Sequence, residues 1–170
     1  MPDTFIKIAT VTVGSGGAGS IDFSSIPSTY TDLVMYYSLR DTGNGINAQL
    51  RFNADATNSY STRRLYGNGG SATSDSLATT SILYINGLNG STTTASTFGN
   101  GCMYVPNYTS SNNKSVSIDA VDENNGTTAY AFLNAGIWNK TNAINQITLY
   151  AGATAFAQYS TVTLYGISKS

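Results

Sequence analysis

Apolar and polar residues alternate in the stretch Met35-Tyr36-Tyr37-Ser38-Leu39-Arg40. Because successive side chains of a β-strand point to opposite faces, this period of two predicts a strand with its odd-numbered residues on one face. Residues 48–53, 115–120 and 161–165 show the same alternation. Each of these segments therefore predicts a strand with an inward apolar face and an outward face directed at water or at a partner.

Less regular apolar runs fill much of the remaining chain, between connections rich in Gly, Asn and Ser. These runs are residues 5–13, 18–23, 77–86, 97–105, 128–138 and 144–151. The two sets together predict about nine or ten strands, and no long segment keeps helical spacing with capping signals. Many short strands without helices predict an all-β fold, an antiparallel β-sandwich that is jelly-roll-like. We expect one such domain over residues 1–170.

The chain carries few charged side chains, 10% of its residues, and its net charge is −1. A nucleic-acid binder needs a basic surface to displace counterions from phosphates, so we expect no nucleic-acid partner. No stretch approaches the roughly 18 consecutive apolar residues of a membrane span, so we expect no membrane partner. The first residues lack a basic region followed by an apolar stretch, which predicts no signal peptide and synthesis in a cytoplasm.

The sequence contains no His and one Cys, Cys102. Without His there is no base for a Ser or Cys nucleophile and no Cys/His zinc site. A carboxylate pair for glycoside hydrolysis remains formally open among the nine acids. We predict no catalytic residues, no metal site and no cofactor. Cys102 cannot form an intramolecular disulfide, and we expect it to be a small apolar residue buried in a strand.

Two segments resemble ligand-binding motifs. Residues 14–19 fit the G-x-G-x-x-G spacing of dinucleotide sites, but residues 20–23 alternate like a strand where that motif requires a helix. We therefore predict a flexible or hairpin loop there. Residues 119–126 hold acids and Asn that could offer oxygen ligands to calcium. They lack the alternating spacing of a calcium loop, which favours an ordinary hairpin turn.

Outward-facing tyrosines and arginines are the candidate interface residues. Tyr36, Tyr150 and Tyr165 lie opposite the apolar face of their predicted strands, and tyrosine supplies contact area at low entropic cost. We predict that Tyr36, Arg40, Tyr150 and Tyr165 contribute to an interface. The alternatives stay open at this point: the tyrosines fill a second layer of the sheet, and the arginine lies on a solvated strand face or makes an internal ion pair.

Several segments resemble small structural proteins of tailed bacteriophages. They are residues 21–33, 50–53, 58–61, 64–67 and 162–167. The resemblance covers most of the chain, more densely in its first half and its last predicted strand. It implies a jelly-roll subunit that cements or decorates a capsid, often as a trimer, or a module of a fibre or tail. It implies no catalytic residue.

We therefore expect a non-enzymatic virion protein that stabilises a phage head by binding the capsid surface and itself. The expected partners are further copies of the chain, with three favoured, and the major capsid protein or another virion protein. The alternative is a carbohydrate-binding or receptor-binding module of a phage tail or fibre. Outward tyrosines buried between subunits would favour the first function. Tyrosines lining an open groove with Asp and Asn would favour the second, and two facing acids in a cleft would favour a hydrolase.

Overall fold

The computed structural model describes residues 4–45, 47–152 and 154–168. Within these ranges the chain forms thirteen β-strands and no helix, so none of the described segments is a helix able to cross a membrane. The strands are β1 (Phe5–Thr12), β2 (Ser20–Phe23), β3 (Asp32–Arg40), β4 (Gln49–Phe52), β5 (Tyr60–Gly67), β6 (Ala72–Thr80), β7 (Leu83–Tyr84), β8 (Leu88–Asn89), β9 (Gly99–Val105), β10 (Lys114–Val121), β11 (Ala131–Trp138), β12 (Ile147–Tyr150) and β13 (Thr161–Ile167).

The strands form two sheets that pack face to face. The large sheet has nine strands in the order β1-β13-β3-β9-β10-β11-β5-β6, with β8 added to β3. The small sheet has four strands in the order β2-β12-β4-β7. Neighbouring strands are antiparallel except the short β3–β8 pair. The fold is thus an all-β, antiparallel, jelly-roll-like sandwich, and the fold class predicted from the alternation is confirmed.

The core lies between the two sheets and follows the predicted alternation. On β10, Val116, Ile118 and Ala120 are buried while Ser117 and Asp119, which alternate with them, are exposed. They belong to one apolar cluster with Ile147 and Leu149 of the small sheet. Burying a large aliphatic side chain contributes about 1.5–3 kcal/mol, so this interior holds the two sheets together.

Strand β5 was not predicted, because its residues do not sort into an apolar and a polar face. Its inward side carries Thr62 and Arg64, while Leu65 points outward. The Arg64 guanidinium donates to both carboxylate oxygens of Asp75 on β6, at 2.8 Å from Nε and 2.5 Å from Nη2. This bidentate pairing satisfies a charge on the inner side of the sheet.

An aromatic cluster closes one end of the sandwich. The Trp138 ring lies 5.7 Å from Phe52 and 6.4 Å from Tyr60. Its indole Nε1 donates to Asp55 Oδ2 at 2.8 Å, and the Thr57 hydroxyl donates to Asp55 Oδ1 at 2.5 Å. Although desolvation raises the pKa of Asp55, these hydrogen bonds lower it to about 2.

The glycine-rich loop at residues 14–19 connects β1 of the large sheet with β2 of the small sheet. The residues after it form a strand, so the helix that a dinucleotide site requires does not follow. The loop prediction holds in part. The connection is a loop, but it passes between the sheets and does not close a hairpin, because β1 pairs with β13 and β2 with β12.

Candidate functional site

The outward side of the large sheet exposes large apolar side chains. Leu133 is 59% exposed, Leu65 53% and Tyr36 49%. We call this surface the outer face. Its large exposed or half-exposed side chains are Phe5, Tyr36, Leu65, Tyr104, Leu133, Ile137 and Tyr165. Contiguous exposed apolar surface is uncommon on a monomeric protein and marks a surface that contacts a partner.

Strand register places the central residues of the outer face in one row. Tyr36 on β3 is paired with Cys102 on β9, and Cys102 with Asp119 on β10. Asp119 is paired with Leu133 on β11, and Leu133 with Leu65 on β5. Directly opposed residues of antiparallel strands have Cβ atoms about 4.5–5.5 Å apart, so the row is continuous across five strands.

Small residues surround this row and keep the outer face shallow. Ser115 and Ser117 point outward from β10, and Ala131 and Ala135 point outward from β11. A surface with few tall side chains can approach another flat surface closely. The shape therefore suits contact with a broad partner and not the enclosure of a small ligand.

Two charged residues in the middle of the outer face have no partner. Asp119 and Arg63 are both exposed, and neither makes an ion pair or side-chain hydrogen bond with any residue the structure describes. Asp32, by contrast, accepts from the Tyr104 hydroxyl at 2.9 Å and from the Asn107 amide at 2.8 Å. Asp119 and Arg63 are thus the central charges that remain free to meet a partner.

Tyr36 and Tyr165, two of the predicted interface residues, meet on the outer face. Their rings are 6.0 Å apart in an edge-to-face arrangement, and Phe5 extends the group at 6.3 Å from Tyr165. The adjacent Cys102 raises the pKa of the Tyr36 hydroxyl, and partial burial raises it further. Tyr36 therefore keeps its proton at neutral pH and can donate a hydrogen bond.

Tyr150, the third predicted tyrosine, lies on the opposite side of the sandwich. It points outward from the small sheet, where the Arg51 guanidinium lies 5.3 Å from its ring centre. The alternation predicted correctly that it faces away from the core, but it carries no information on which of two sheets a strand joins. The predicted tyrosines therefore do not form a single surface.

Arg40 is held within its own chain. Its Nη1 donates to the Thr97 carbonyl at 2.7 Å and to the Thr94 carbonyl at 3.0 Å. Its Nη2 donates to the Thr93 carbonyl at 3.4 Å. These bonds hold the loop before β9 against the end of β3. The structure thus places Arg40 as a support for a loop, apart from the apolar row of the outer face.

Cys102 is half-exposed and not buried, so the sequence prediction for its side chain was wrong. Its neighbour Met103 takes the inward position on β9, which turns Cys102 to the outer face. Partial burial raises the pKa of the thiol, and the carboxylate of Asp119 raises it further. The thiol is thus mainly protonated at neutral pH and is a weak nucleophile there.

A polar cavity of about 290 Å³ lies between the loop at residues 92–94 and residues 122–130. It is at the end of the sandwich where β11 begins, opposite the Trp138 end. The amide of Tyr130 donates to Asp122 Oδ1, and Asn124 Nδ2 donates to the Thr128 carbonyl at 2.9 Å. Burial raises the pKa of Asp122 to about 6 even though backbone hydrogen bonds oppose the rise. Asp122 is buried while Asp119 points outward, so the acids weighed as calcium ligands diverge.

Comparisons with known proteins give distant structural likeness alone. No protein-family model and no curated protein matches the sequence. An exo-inulinase from Aspergillus awamori is similar over 96% of this chain, with 13% identity and a TM-score of 0.41. The galectin LEC-6 of Caenorhabditis elegans is similar over 94% of this chain and 96% of its own length, with 9% identity and a TM-score of 0.39.

A third similar structure is a subviral particle of infectious bursal disease virus VP2, with 15% identity and a TM-score of 0.19. It is similar over 96% of this chain and 41% of its own length. The chain spans 29% of the exo-inulinase. These likenesses are too distant to indicate a function.

The outward leucines escaped sequence analysis. In β11, Phe132 and Trp138 take the inward positions, while Leu133 and Ile137 occupy the outward ones. Both phases of this strand carry large apolar residues, so the period of two does not say which phase is buried. A strand with large apolar residues at both its inward and its outward positions indicates a core on one side and a contact surface on the other, and this is the signal that the sequence offers.

Proposed function

We propose that the chain is a non-enzymatic structural protein of a phage particle, which decorates the head by binding the capsid surface and itself through the outer face. The observation that carries the proposal is the row across the middle of the large sheet, in which Tyr36, Leu133 and Leu65 are exposed. Cys102 and Asp119 lie between Tyr36 and Leu133 in this row. The resemblance to small phage structural proteins supports the virion location, and three copies remain the number that it implies.

The free-energy cost of burying the outer face depends on the charges that it removes from water. A shell subunit must bury surface against neighbours, and each unpaired charge removed from water costs several kcal/mol. The outer face offers leucine and tyrosine side chains and small residues, and its central charges are Asp119 and Arg63. A partner that pairs these two charges can cover the face at low desolvation cost. The fold is held by sheet pairing and a buried core, which suits a rigid subunit.

The test is to locate the protein and to disrupt the outer face. Electron microscopy of antibody-labelled particles of the encoding phage should show label on the head. Heads lacking the protein should bind the purified chain, and Leu133→Asp should abolish that binding because it places a charge in the contact. Tyr159→Asp is the matched control, since Tyr159 is 69% exposed and lies outside the strands. Unlabelled particles, or full binding by Leu133→Asp, would contradict the proposal.

The polar cavity favours a second candidate, a carbohydrate-binding or receptor-binding module of a tail or fibre. It combines the Asp122 carboxylate, the threonines of residues 92–94 and the Tyr130 ring at one end of the sandwich. Hydroxyl-bearing ligands require such acceptors and donors beside an aromatic wall. Binding to a glycan array that is lost in Tyr130→Ala and kept in Leu133→Asp, with label at the tail tip, would establish this function in place of decoration.

A further inference from the structure

One of the two free charges, Asp119, lies within the central row of the outer face, and the other, Arg63, lies beside that row. Asp119 is on β10 and Arg63 is on β5, with β11 between them. Asp119 is level with Leu133, and Arg63 is level with Ala135. The two charged residues are therefore two strands apart, about 10 Å across the sheet, and two residues apart along it, about 7 Å. The structure shows no ion pair between them.

This placement is self-complementary under a two-fold rotation. Consider a two-fold axis that runs parallel to the outer face and passes above β11, at the level between Leu133 and Ala135. The axis is perpendicular to the line that joins Asp119 and Arg63. Rotation by 180° about this axis brings a second copy face to face with the first. Asp119 then lies over Arg63 of the second copy, and Arg63 over its Asp119. A two-fold interface repeats each contact twice, so both charges on both copies are paired.

The same rotation also brings the leucines of the two copies together. Leu133 lies beside the axis, so it meets the copy of itself, and Leu65 on the next strand lies close to the same point. The interface would have leucines at its centre and ion pairs next to them. Central apolar anchors with paired charges around them are the usual arrangement of a specific interface.

We propose that two copies of the chain pair through their outer faces, with reciprocal Asp119–Arg63 ion pairs around a leucine centre. The two-fold axis crosses β11, which has β5 and β6 on one side, so the two copies overlap over about five strands, from β9 to β6. At about 4.8 Å spacing and seven residues of about 3.3 Å each, five strands span roughly 550 Å². The two copies together bury about 1,100 Å², just above the roughly 1,000 Å² of the smallest specific interfaces. The inference rests on the proposed use of the outer face in self-association and replaces the three copies implied by the resemblance with two. Strands β1 and β13 lie outside the overlap, so that part of the outer face stays open to the capsid.

The test uses charge reversal. Sedimentation of the unmodified chain at micromolar concentration should give the mass of two copies. Arg63→Asp puts two acids against each other at both contacts, and Asp119→Arg puts two bases there, so each variant alone should associate at least tenfold more weakly. Mixed in equal amounts, the two variants should form a mixed pair, because every acid then faces an arginine. The double variant, Arg63→Asp with Asp119→Arg, should pair as the unmodified chain does.

The controls separate folding, pairing and function. Circular dichroism should show the same β spectrum for all variants, since both side chains are exposed. Lys140→Asp reverses a charge in the segment after β11, away from the outer face, and should pair normally. Single variants that self-associate normally, a mixture that stays monomeric, or a three-copy mass would each overturn the two-fold pairing. Binding of capsids despite such a result would leave the proposed function standing.

Discussion

Gly136 on β11 tests how the two sheets fit together. A Cβ added at this position would lie 2.5 Å from Cδ1 and 3.3 Å from Cδ2 of Leu83, which is fully buried on β7 of the small sheet. The absent side chain therefore makes the space that Leu83 fills across the interior. The methyl group of Gly136→Ala should therefore clash with Leu83 and push β7 and β11 apart at this point.

Overpacking of this kind costs about 1–3 kcal/mol, and the lower chain entropy of alanine in the unfolded state offsets about 0.4–1 kcal/mol of that. We expect a net loss of roughly 1–2 kcal/mol, which for a chain of this length lowers the melting temperature by about 2–4 °C per kcal/mol. Leu83→Ala alone should cost about 2–5 kcal/mol, because it leaves a cavity. In the double variant, the added methyl group enters the vacated space.

Urea denaturation of the four proteins measures this coupling. The double variant should be more stable than the sum of the single losses predicts, by about 1 kcal/mol or more, whereas independent sites add within about 0.3–0.5 kcal/mol. Gly19→Ala is the matched control, since no atom lies within 4 Å of the added Cβ. A neutral Gly136→Ala together with strict additivity would refute the packing described between β7 and β11.

Three further predictions concern titratable groups. Burial raises the pKa of Asp122 to about 6, so stability should fall as pH rises from about 4 through 6, and Asp122→Asn should flatten that slope in urea titrations. The pKa of Asp55 is about 2 because hydrogen bonds such as that from Trp138 outweigh desolvation, so the protein should lose stability as pH falls from about 4 to 2. Unfolding followed by tryptophan fluorescence measures this slope, and the same slope in Asp55→Asn would contradict the prediction. Asp119→Asn should speed alkylation of Cys102, since removing the carboxylate favours the thiolate, while reductant should leave the melting temperature unchanged.

The sequence predicted the strands that alternate cleanly. In β10, and in β3 from Met35 onward, a solvated or half-solvated face opposes an apolar one, and burial follows the pattern residue by residue. Burial in β5 could not be predicted in this way, because its inner side carries the charged Arg64. Asp75, eleven residues further along the chain, pairs with that charge. Local periodicity contains no information about a partner on another strand.

The candidate surface was predicted in part. Tyr36 and Tyr165 do lie together on an outward surface, but Leu65 and Leu133 become neighbours only through the β5–β11 pairing. Their strands are separated by more than 60 residues along the chain. Strand order decides which outward residues become neighbours, and alternation alone does not determine strand order.

The strand order also constrains when the sandwich can form during synthesis. In the large sheet β13 lies between β1 and β3, and in the small sheet β12 lies between β2 and β4. Each sheet thus receives an inner strand from the end of the described chain. At about 5–20 residues per second, the ribosome needs roughly 6–24 s to proceed from β3 to β13. During that interval β1 to β4 lack the strand that joins them, and their open edges are free to pair with other chains. Neither sheet can therefore be completed before β12 and β13 have been synthesised, and a chaperone that covers strand edges until then would increase the yield of native protein.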